Sequence, residues 1–190
     1  VLAREVARRM DERLDYIRLA PSRILDLGCG PGADRPLLHA RYPEAAYLGV
    51  DFALPMLTPA RAAGNFLQRL FGNPKKPAAH TVAADAEALP LALGSVGLVW
   101  SNLMLNWLHD PMPALREIHR VLEVGGMVMF STLGPDTLKE LRAILPSATG
   151  ERVHRFIDMH DLGDALVQAG FSDPVMDMEM VTLTYADLDA

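Results

Sequence analysis

The 190-residue sequence contains little cysteine and no long hydrophobic run. Its single cysteine, Cys29, excludes an internal disulfide bond and provides no cysteine pair for a metal ion, and we predict no metal site. No apolar segment reaches the roughly eighteen residues that span a bilayer, and the first residues lack the charged-then-apolar order of a secretory signal. We therefore expect a cytoplasmic protein without a membrane span.

Positive charge is also scarce, because 18 Lys and Arg residues stand against 24 Asp and Glu residues, for a net charge of −6. This balance argues against a general nucleic-acid-binding protein. The length and the 50% hydrophobic content are typical of one globular domain. We predict a single domain over residues 1–190, cut from a longer chain at both ends, because Val1 already lies within a helical pattern and an acidic segment begins at Tyr185.

Helical and strand patterns alternate along the chain. Val1 to Arg18 has apolar residues at helical spacing, and Arg23 to Leu27 is a short apolar run typical of a buried parallel strand. The alternation predicts an α/β fold with an open, mostly parallel sheet and helices on both faces. The other predicted strands are Ala46–Val50, Ala79–Ala84, Val96–Ser101, Met127–Thr132 and one or two within Val175–Thr184; the other predicted helices are about Ala33–Tyr42, about Pro55–Leu70, the segment begun by Pro111, the segment with Leu138 and Leu145, and Asp161–Ala169.

A glycine turn follows the first predicted strand. Gly28, Gly30 and Gly32 allow backbone conformations and a close approach to a ligand that a Cβ would prevent. Polar residues end the neighbouring strands, namely Asp51, Asp85 and Asn102, and these should converge because ligands of parallel sheets bind beyond the carboxyl ends of the strands. The sequence therefore predicts one ligand site at this edge.

The glycine turn is compatible with more than one class of ligand. The spacing of Gly28, Gly30 and Ala33 also satisfies the loose dinucleotide fingerprint, so an NAD-dependent oxidoreductase is one alternative. Pro31 counts against it, because proline has no N–H for a pyrophosphate. Asp85 counts against it as well, since an acceptor for an adenine amino group is not a general requirement of NAD sites.

From Arg23 to Thr132 the chain resembles the class I S-adenosylmethionine-dependent methyltransferases, which have a Rossmann-like fold. The likeness lies in Ile24–Gly32, in Gly49–Phe52 with Met56, in Ala84–Ala86 and in Val99–Asn102. Gly97 departs from the acidic residue common in the family, and we expect it to weaken its strand locally. The resemblance implies the cofactor S-adenosylmethionine, with S-adenosylhomocysteine as product, bound by Asp26, Gly28, Cys29, Gly30, Gly32, Asp51, Phe52, Met56, Asp85, Ala86 and Asn102.

Later motifs resemble a narrower group. Asn102–Trp107, Thr132–Arg142 and Asp161–Phe171 are similar to the bacterial malonyl-acyl-carrier-protein O-methyltransferases of biotin synthesis. They also resemble the related complex I assembly factors implicated in arginine hydroxylation, which remain an alternative. The first likeness implies methylation of the free carboxylate of a malonyl group on acyl-carrier protein or coenzyme A.

Such a reaction needs no catalytic acid or base, because the acceptor carboxylate is already ionised near neutral pH. We predict that the protein acts by positioning alone. Arg155 is the candidate contact for the malonyl carboxylate, and Trp107 is the candidate wall of the acceptor pocket. Basic side chains suited to an acidic carrier protein are Arg116, Arg120, Lys139 and Arg142.

Overall fold

The computed structural model describes residues 1–57, 79–144 and 156–184. At its centre is a five-stranded sheet in which all neighbouring strands are parallel. The predicted α/β fold with a parallel sheet is confirmed. In chain order the strands are β1 Arg23–Leu27, β2 Ala46–Asp51, β3 Ala79–Ala83, β4 Val96–Asn102 and β5 Leu122–Ser131, and their order across the sheet is β3-β2-β1-β4-β5.

Helices cover both faces of the sheet, because successive side chains of the buried strands point to opposite sides. On one face, Ile24 of β1 belongs to a core cluster with residues of the first two helices, and on the other, Leu25 clusters with residues of later helices. None of the helices in the three described ranges is long and apolar enough to cross a membrane. The helices are α1 Leu2–Arg13, α2 Arg35–Arg41, α3 Met112–Val121, α4 Lys139–Ile144 and α5 Met159–Ala169, with 3-10 turns at Leu14–Tyr16 and Leu105–Trp107 and a helical turn at residues 54–57.

Helix ends follow the local signals closely. The Asp110 side chain accepts the N–H of Met112 at the start of α3, as expected for a capping residue. Gly170 ends α5 in the left-handed conformation, as predicted. The first helix is shorter than predicted, because the chain leaves helical geometry at Ile17 and turns toward β1, which begins at Arg23.

Strand β5 begins at Leu122 rather than at the predicted Met127. The glycine-containing segment 123–126, which has the composition of a turn, is taken into the sheet as a bulge, since Val96 pairs with Leu122 while Leu98 pairs with Met127. Gly97 lies between them, and a Cβ there would lie 2.9 Å from the Cβ of Pro21. Gly97 thus marks a local irregularity in β4, and the strand continues through it.

The predicted late strands are wrong: residues 175–184 form no regular strand. Instead, the carboxylates of Asp177 and Glu179 pair with Arg13 of α1, and Glu179 also pairs with Arg9 at 2.5 Å. These ion pairs hold residues 175–184 beside α1. The segment therefore does not pair with a strand of the sheet, although its composition favours a strand. The predicted helix over Pro55–Leu70 lies mostly outside the described residues.

Candidate active site

The glycine turn connects β1 to α2 and has the backbone conformation that its glycines predict. The φ angles of Gly28, Gly30 and Gly32 are 78°, 51° and 83°, all in the region that disfavours residues with a Cβ. Gly30 is the open position, because the nearest atom to a Cβ built there is the Met56 Cε, 3.8 Å away. The turn therefore presents accessible backbone at Gly30.

Gly28 has a different role from the one expected. A Cβ on Gly28 would lie 2.4 Å from the Cγ of Met104, so the Met104 side chain occupies the space that the glycine leaves. Met104 follows β4, and its neighbour Leu103 has a φ of 54°. The glycine at position 28 thus admits a side chain from the adjoining loop.

The N–H groups of the turn are already used within the protein. Those of Gly28 and Cys29 donate to the Val50 carbonyl at 2.8 and 3.0 Å, and that of Gly32 donates to the Cys29 carbonyl at 2.9 Å. The Gly30 N–H donates to an Asp51 carboxylate oxygen at 2.8 Å, and Pro31 has none. A pyrophosphate needs several free N–H donors, which this turn does not offer.

Asp51, at the end of β2, ties the turn to the next loop. One carboxylate oxygen accepts the Gly30 N–H and the other accepts the Ala53 N–H, both at 2.8 Å. Each oxygen can accept a further bond, and the side chain is partly exposed, so Asp51 can also receive ribose hydroxyls. Phe52 and Met56 are 79% and 47% exposed beside it, which leaves apolar surface for a flat ring.

The end of β3 joins the same site, as predicted. The Ala84 N–H donates to the Asp51 carbonyl at 3.1 Å, which holds the two strand ends together. Asp85 is exposed and accepts the Glu87 N–H at 2.9 Å with one oxygen, whereas Ala86 is buried. An adenine contact from the free Asp85 oxygen is compatible with this geometry.

Asp26 and Cys29 have buried side chains, as Ala86 does, whereas the remaining cofactor candidates are partly or fully exposed. Asp26 is 2% exposed, and its carboxylate accepts the Tyr47 hydroxyl at 2.6 Å. Burial raises the pKa of Asp26 to about 7, and the bond from Tyr47 opposes that rise. Burial likewise raises the pKa of the Cys29 thiol to about 12, so the thiol stays protonated near neutral pH.

The side-chain amide of Asn102, at the end of β4, forms hydrogen bonds with other groups of the protein. Its Nδ2 donates to an Asp34 oxygen and to the Ala3 carbonyl, both at 2.9 Å, and its Oδ1 accepts the Ser131 hydroxyl at 3.0 Å. The same Asp34 oxygen accepts the Trp100 indole N–H at 2.9 Å. Asn102 therefore braces the edge of the site in this structure, while its contact with a cofactor stays a prediction.

The sequence pattern missed Asp34 and Ser131. Ser131 also accepts the Leu103 N–H at 3.0 Å, and so supports the loop that places Met104 on Gly28. Asp34 immediately precedes α2, where an acidic residue is most simply interpreted as a helix cap. Its part in the network becomes visible only in the fold, which brings its carboxylate to Trp100 and Asn102 of β4.

The predicted acceptor side of the site lies at the 3-10 turn after β4. Trp107 is 84% exposed there, available to a second substrate but not enclosed by described residues. Arg155 lies outside the described residues. Two of the basic residues predicted to meet a carrier protein make internal bonds instead: Arg120 pairs with Glu117 and donates to the Leu89 and Leu91 carbonyls, and Arg142 donates to the Pro135 carbonyl at 2.7 Å.

Known proteins share this arrangement of strand ends. Residues 25–130 match the model of a family described as "Methyltransferase domain". The chain belongs to this methyltransferase domain family. The match runs from the third residue of β1 to the next-to-last residue of β5, so it contains the glycine turn, Asp51, Asp85 and Asn102.

Curated relatives of this methyltransferase domain carry a more specific name. The chain is 52% identical over 189 residues, 99% of its own length and 63% of the other, to a "Malonyl-[acyl-carrier protein] O-methyltransferase" of Methylovorus. It is 53% identical over 194 residues, 100% of its length and 64% of the other, to the protein of that name from Laribacter hongkongensis. The chain thus spans just under two thirds of the length of these relatives.

A solved methyltransferase shows the same fold. The S-adenosylmethionine-dependent methyltransferase from Mesorhizobium loti superposes with a TM-score of 0.62 at 24% identity, covering 87% of this chain and 79% of the other. This likeness is one of fold, and it identifies the sheet as Rossmann-like.

Proposed function

We propose that this methyltransferase domain transfers a methyl group from S-adenosylmethionine to the free carboxylate of a malonyl thioester, in biotin synthesis. The observation that carries the proposal is identity above 50% along nearly the whole chain to proteins named for that reaction. Because the chain spans less than two thirds of those proteins, the substrate and the partner are part of the proposal.

The residues present fit the cofactor. Asp51 would hold the ribose hydroxyls, because its carboxylate is partly exposed and held in place by two backbone N–H groups. Phe52 and Met56 would pack on the adenine, with Asp85 and Ala86 at its edge. The open backbone at Gly30 would accommodate the methionine end. When bound, S-adenosylmethionine supplies the methyl group on an activated sulfonium.

The remaining task of the protein is to hold the acceptor in line and keep water out. A malonyl carboxylate is ionised near neutral pH, so no general base has to be provided. Arg155 would guide this carboxylate as a bidentate partner, and Trp107 would form a wall of its pocket. Malonyl-acyl-carrier protein is the preferred acceptor, with malonyl-coenzyme A as the second candidate.

An observation of the glycine turn disfavours the NAD alternative. The N–H groups of Gly28, Cys29, Gly30 and Gly32 all have partners within the protein. A dinucleotide would have to break some of these bonds to be held by its pyrophosphate. S-adenosylmethionine contains no phosphate and leaves them intact.

The decisive experiment incubates the purified protein with methyl-labelled S-adenosylmethionine and either malonyl-acyl-carrier protein or malonyl-coenzyme A. We expect a base-labile methyl ester on the malonyl group, formed faster on the carrier protein. Acetyl-acyl-carrier protein is the matched control, because it has the same thioester without the free carboxylate. Label on the acetyl carrier, or none on either malonyl thioester, would overturn the proposal.

Cell growth provides a second test of the assigned pathway. Expression of the protein in bacteria that lack their own malonyl methyltransferase should restore growth without biotin. An Asp51→Ala variant should fail to do so at the same expression level, because it loses the proposed ribose contact. Growth restored equally by both would contradict the assigned role of the site.

A further inference from the structure

A cluster of three polar side chains, with Asp26 and Tyr47 buried and Arg35 partly buried, lies beside the glycine turn and is not used in the function proposed above. Its first member is Asp26, whose carboxylate accepts the Tyr47 hydroxyl at 2.6 Å. Its third member is Arg35, the first residue of α2, whose guanidinium carbon lies 5.6 Å from the centre of the Tyr47 ring. Tyr47 thus has a carboxylate at its hydroxyl and a cation over its face.

The backbone of β2 is shaped to receive this hydroxyl. Asp26 is paired in register with Gly49, two residues beyond Tyr47. A Cβ at Gly49 would lie 3.2 Å from the Tyr47 hydroxyl oxygen and 2.8 Å from the Cys29 sulfur. Gly49 therefore leaves the space in which the Tyr47 hydroxyl reaches Asp26, so the contact is built into two strands and the turn.

Among residues 1–57, 79–144 and 156–184, no cationic side chain bonds to the Asp26 carboxylate. Asp34 and Asp51 are the charged groups that act on it directly, and both are acidic. The Cys29 thiol is protonated, and from β4 the residue in register is Trp100, whose indole N–H is already donated to Asp34. Tyr47 is consequently the side-chain donor that stabilises the ionised form of Asp26.

We propose that Tyr47 is a positioning residue that keeps the Asp26 carboxylate oriented and ionised at the base of the glycine turn, where its negative charge favours a cationic cofactor. This inference rests on the proposed function, because S-adenosylmethionine carries a sulfonium and an ammonium group. Arg35 contributes by its position over the ring, since a cation there makes the hydroxyl a stronger donor.

The test compares wild type with Tyr47→Phe, which removes only the hydroxyl and keeps the ring under Arg35. Calorimetry measures the affinity for S-adenosylhomocysteine and for S-adenosylmethionine from pH 6 to pH 9, and each affinity is corrected for the titration of the free ligand's own ammonium group, which falls in this range. Wild-type affinity for the methyl donor should rise through the titration of Asp26 and then level off. In Tyr47→Phe we expect the midpoint of this rise in affinity to move to higher pH. The affinity should be about tenfold lower than that of wild type at pH 7 and should largely recover at pH 9.

A readout without any ligand separates the inference from the proposed function. Carbon NMR of the Asp26 carboxyl in the unliganded protein should give a higher pKa in Tyr47→Phe than in wild type, because the hydroxyl bond that lowers this pKa is gone. If wild type binds neither cofactor form, the proposed function fails, while the NMR titration still decides whether the pair exists.

The controls distinguish positioning from general support of the fold. Tyr42→Phe is the matched variant, since Tyr42 follows the last residue of α2 and packs against the same core cluster without contacting Asp26 in the structure. Tyr42→Phe should leave both the pH dependence of cofactor affinity and the NMR titration of Asp26 unchanged. Asp26→Asn keeps an acceptor for Tyr47 and should make the affinity nearly independent of pH in this range. An equal loss of affinity at every pH in Tyr47→Phe, or no change in the Asp26 titration, would overturn the inference.

Discussion

The two halves of the carboxyl edge are built by different means. The cofactor half, at the ends of β1, β2 and β3, consists of backbone conformations and carboxylates that bond to backbone N–H groups, such as Asp51 with Gly30. The half that we propose for the acceptor, called the acceptor half below, lies after β4 and β5 and consists of exposed groups such as Trp107 beside the side-chain network that braces Asn102. The geometry of the cofactor half depends on a few residue types at fixed positions. The geometry of the acceptor half depends on how side chains of distant segments pack together.

This difference predicts that the two halves respond differently to substitution. A turn that needs glycines, followed by acids at strand ends, must keep those residues to hold the same cofactor. The loops beyond β4 and β5 can vary without disturbing the sheet, because their residues lie outside its paired strands. Substitutions in the cofactor half should therefore cost affinity for the cofactor, whereas those in the acceptor half should alter substrate use.

The largest expected effect concerns buried charge in the cofactor half. A folded pKa of about 7 for Asp26, against an ordinary value of 3.8, means that the folded state holds this proton more tightly than the unfolded state. Stability from this group is complete below about pH 4 and is lost as the pH rises to about 7, by up to about 4 kcal/mol. Urea unfolding at pH 5 and pH 8 should show the later part of this loss, about 2–3 kcal/mol, in wild type and lack it in Asp26→Asn. The control is Asp136→Asn, a change of an exposed carboxylate in the acceptor half, which should leave the wild-type difference between pH 5 and pH 8 unchanged. An identical pH dependence of the free energy of unfolding in wild type and Asp26→Asn would contradict the expectation.

Glycine substitutions compare the backbone of the two halves. Gly28→Ala should lower the free energy of unfolding by about 2–4 kcal/mol, because it places a Cβ against Met104 at a positive φ. Gly134→Ala in the acceptor half should change it by less than about 0.5 kcal/mol, since nothing lies within 4 Å of a Cβ there. Chemical denaturation measures both, and equal costs would remove the distinction between the halves.

Asp51 tests whether the cofactor half holds the ribose. Asp51→Ala should weaken binding of S-adenosylhomocysteine by about 1–3 kcal/mol, because it removes the ribose acceptor and releases the N–H groups of Gly30 and Ala53. Calorimetry gives this difference directly. Asp136→Ala, an equal change on the acceptor side, should leave the affinity unaltered, and undiminished binding by Asp51→Ala would show that the ribose lies elsewhere.

The smallest effects come from two exposed aromatic side chains. Phe52→Ala should reduce affinity for S-adenosylhomocysteine, and Trp107→Ala should raise the KM for the malonyl substrate, each by about three- to tenfold. Neither should change stability much, because the side chains are 79% and 84% exposed. Steady-state kinetics and calorimetry on both variants separate the two effects. A loss of cofactor affinity in Trp107→Ala would contradict the assignment of Trp107 to the acceptor half.

Much of the cofactor half could be predicted from the sequence, because its signals are local. Positive φ at the glycines, the carboxylate after β2 and the joining of the Asp51 and Ala84 segments all follow from residue type and strand order. The burial of Asp26 and the use of Gly28 by Met104 could not be predicted, since both depend on contacts with segments about 20 and 76 residues away. The network of Asp34, Asn102 and Ser131 was missed for the same reason.

The failed predictions have a related cause. Residues 175–184 have the composition of a strand, but Asp177 and Glu179 meet the arginines of α1 and the backbone stays outside the sheet. The segment from Glu123 to Gly126 has the composition of a turn, yet the pairing of β4 with β5 takes it into the sheet. In both places long-range contacts overrode local preference.

The sequence by itself determined the parallel α/β sheet, the glycine turn and the acids that follow its strands, because periodicity and residue type act over a few neighbouring positions. The tertiary structure alone decided which of these groups remain open to a ligand. It buried Asp26 against Tyr47, engaged Asn102 in internal bonds and left Asp51 partly exposed. The physical reason is that exposure and hydrogen-bond partners are properties of packed strands, which bring together residues that are distant along the chain.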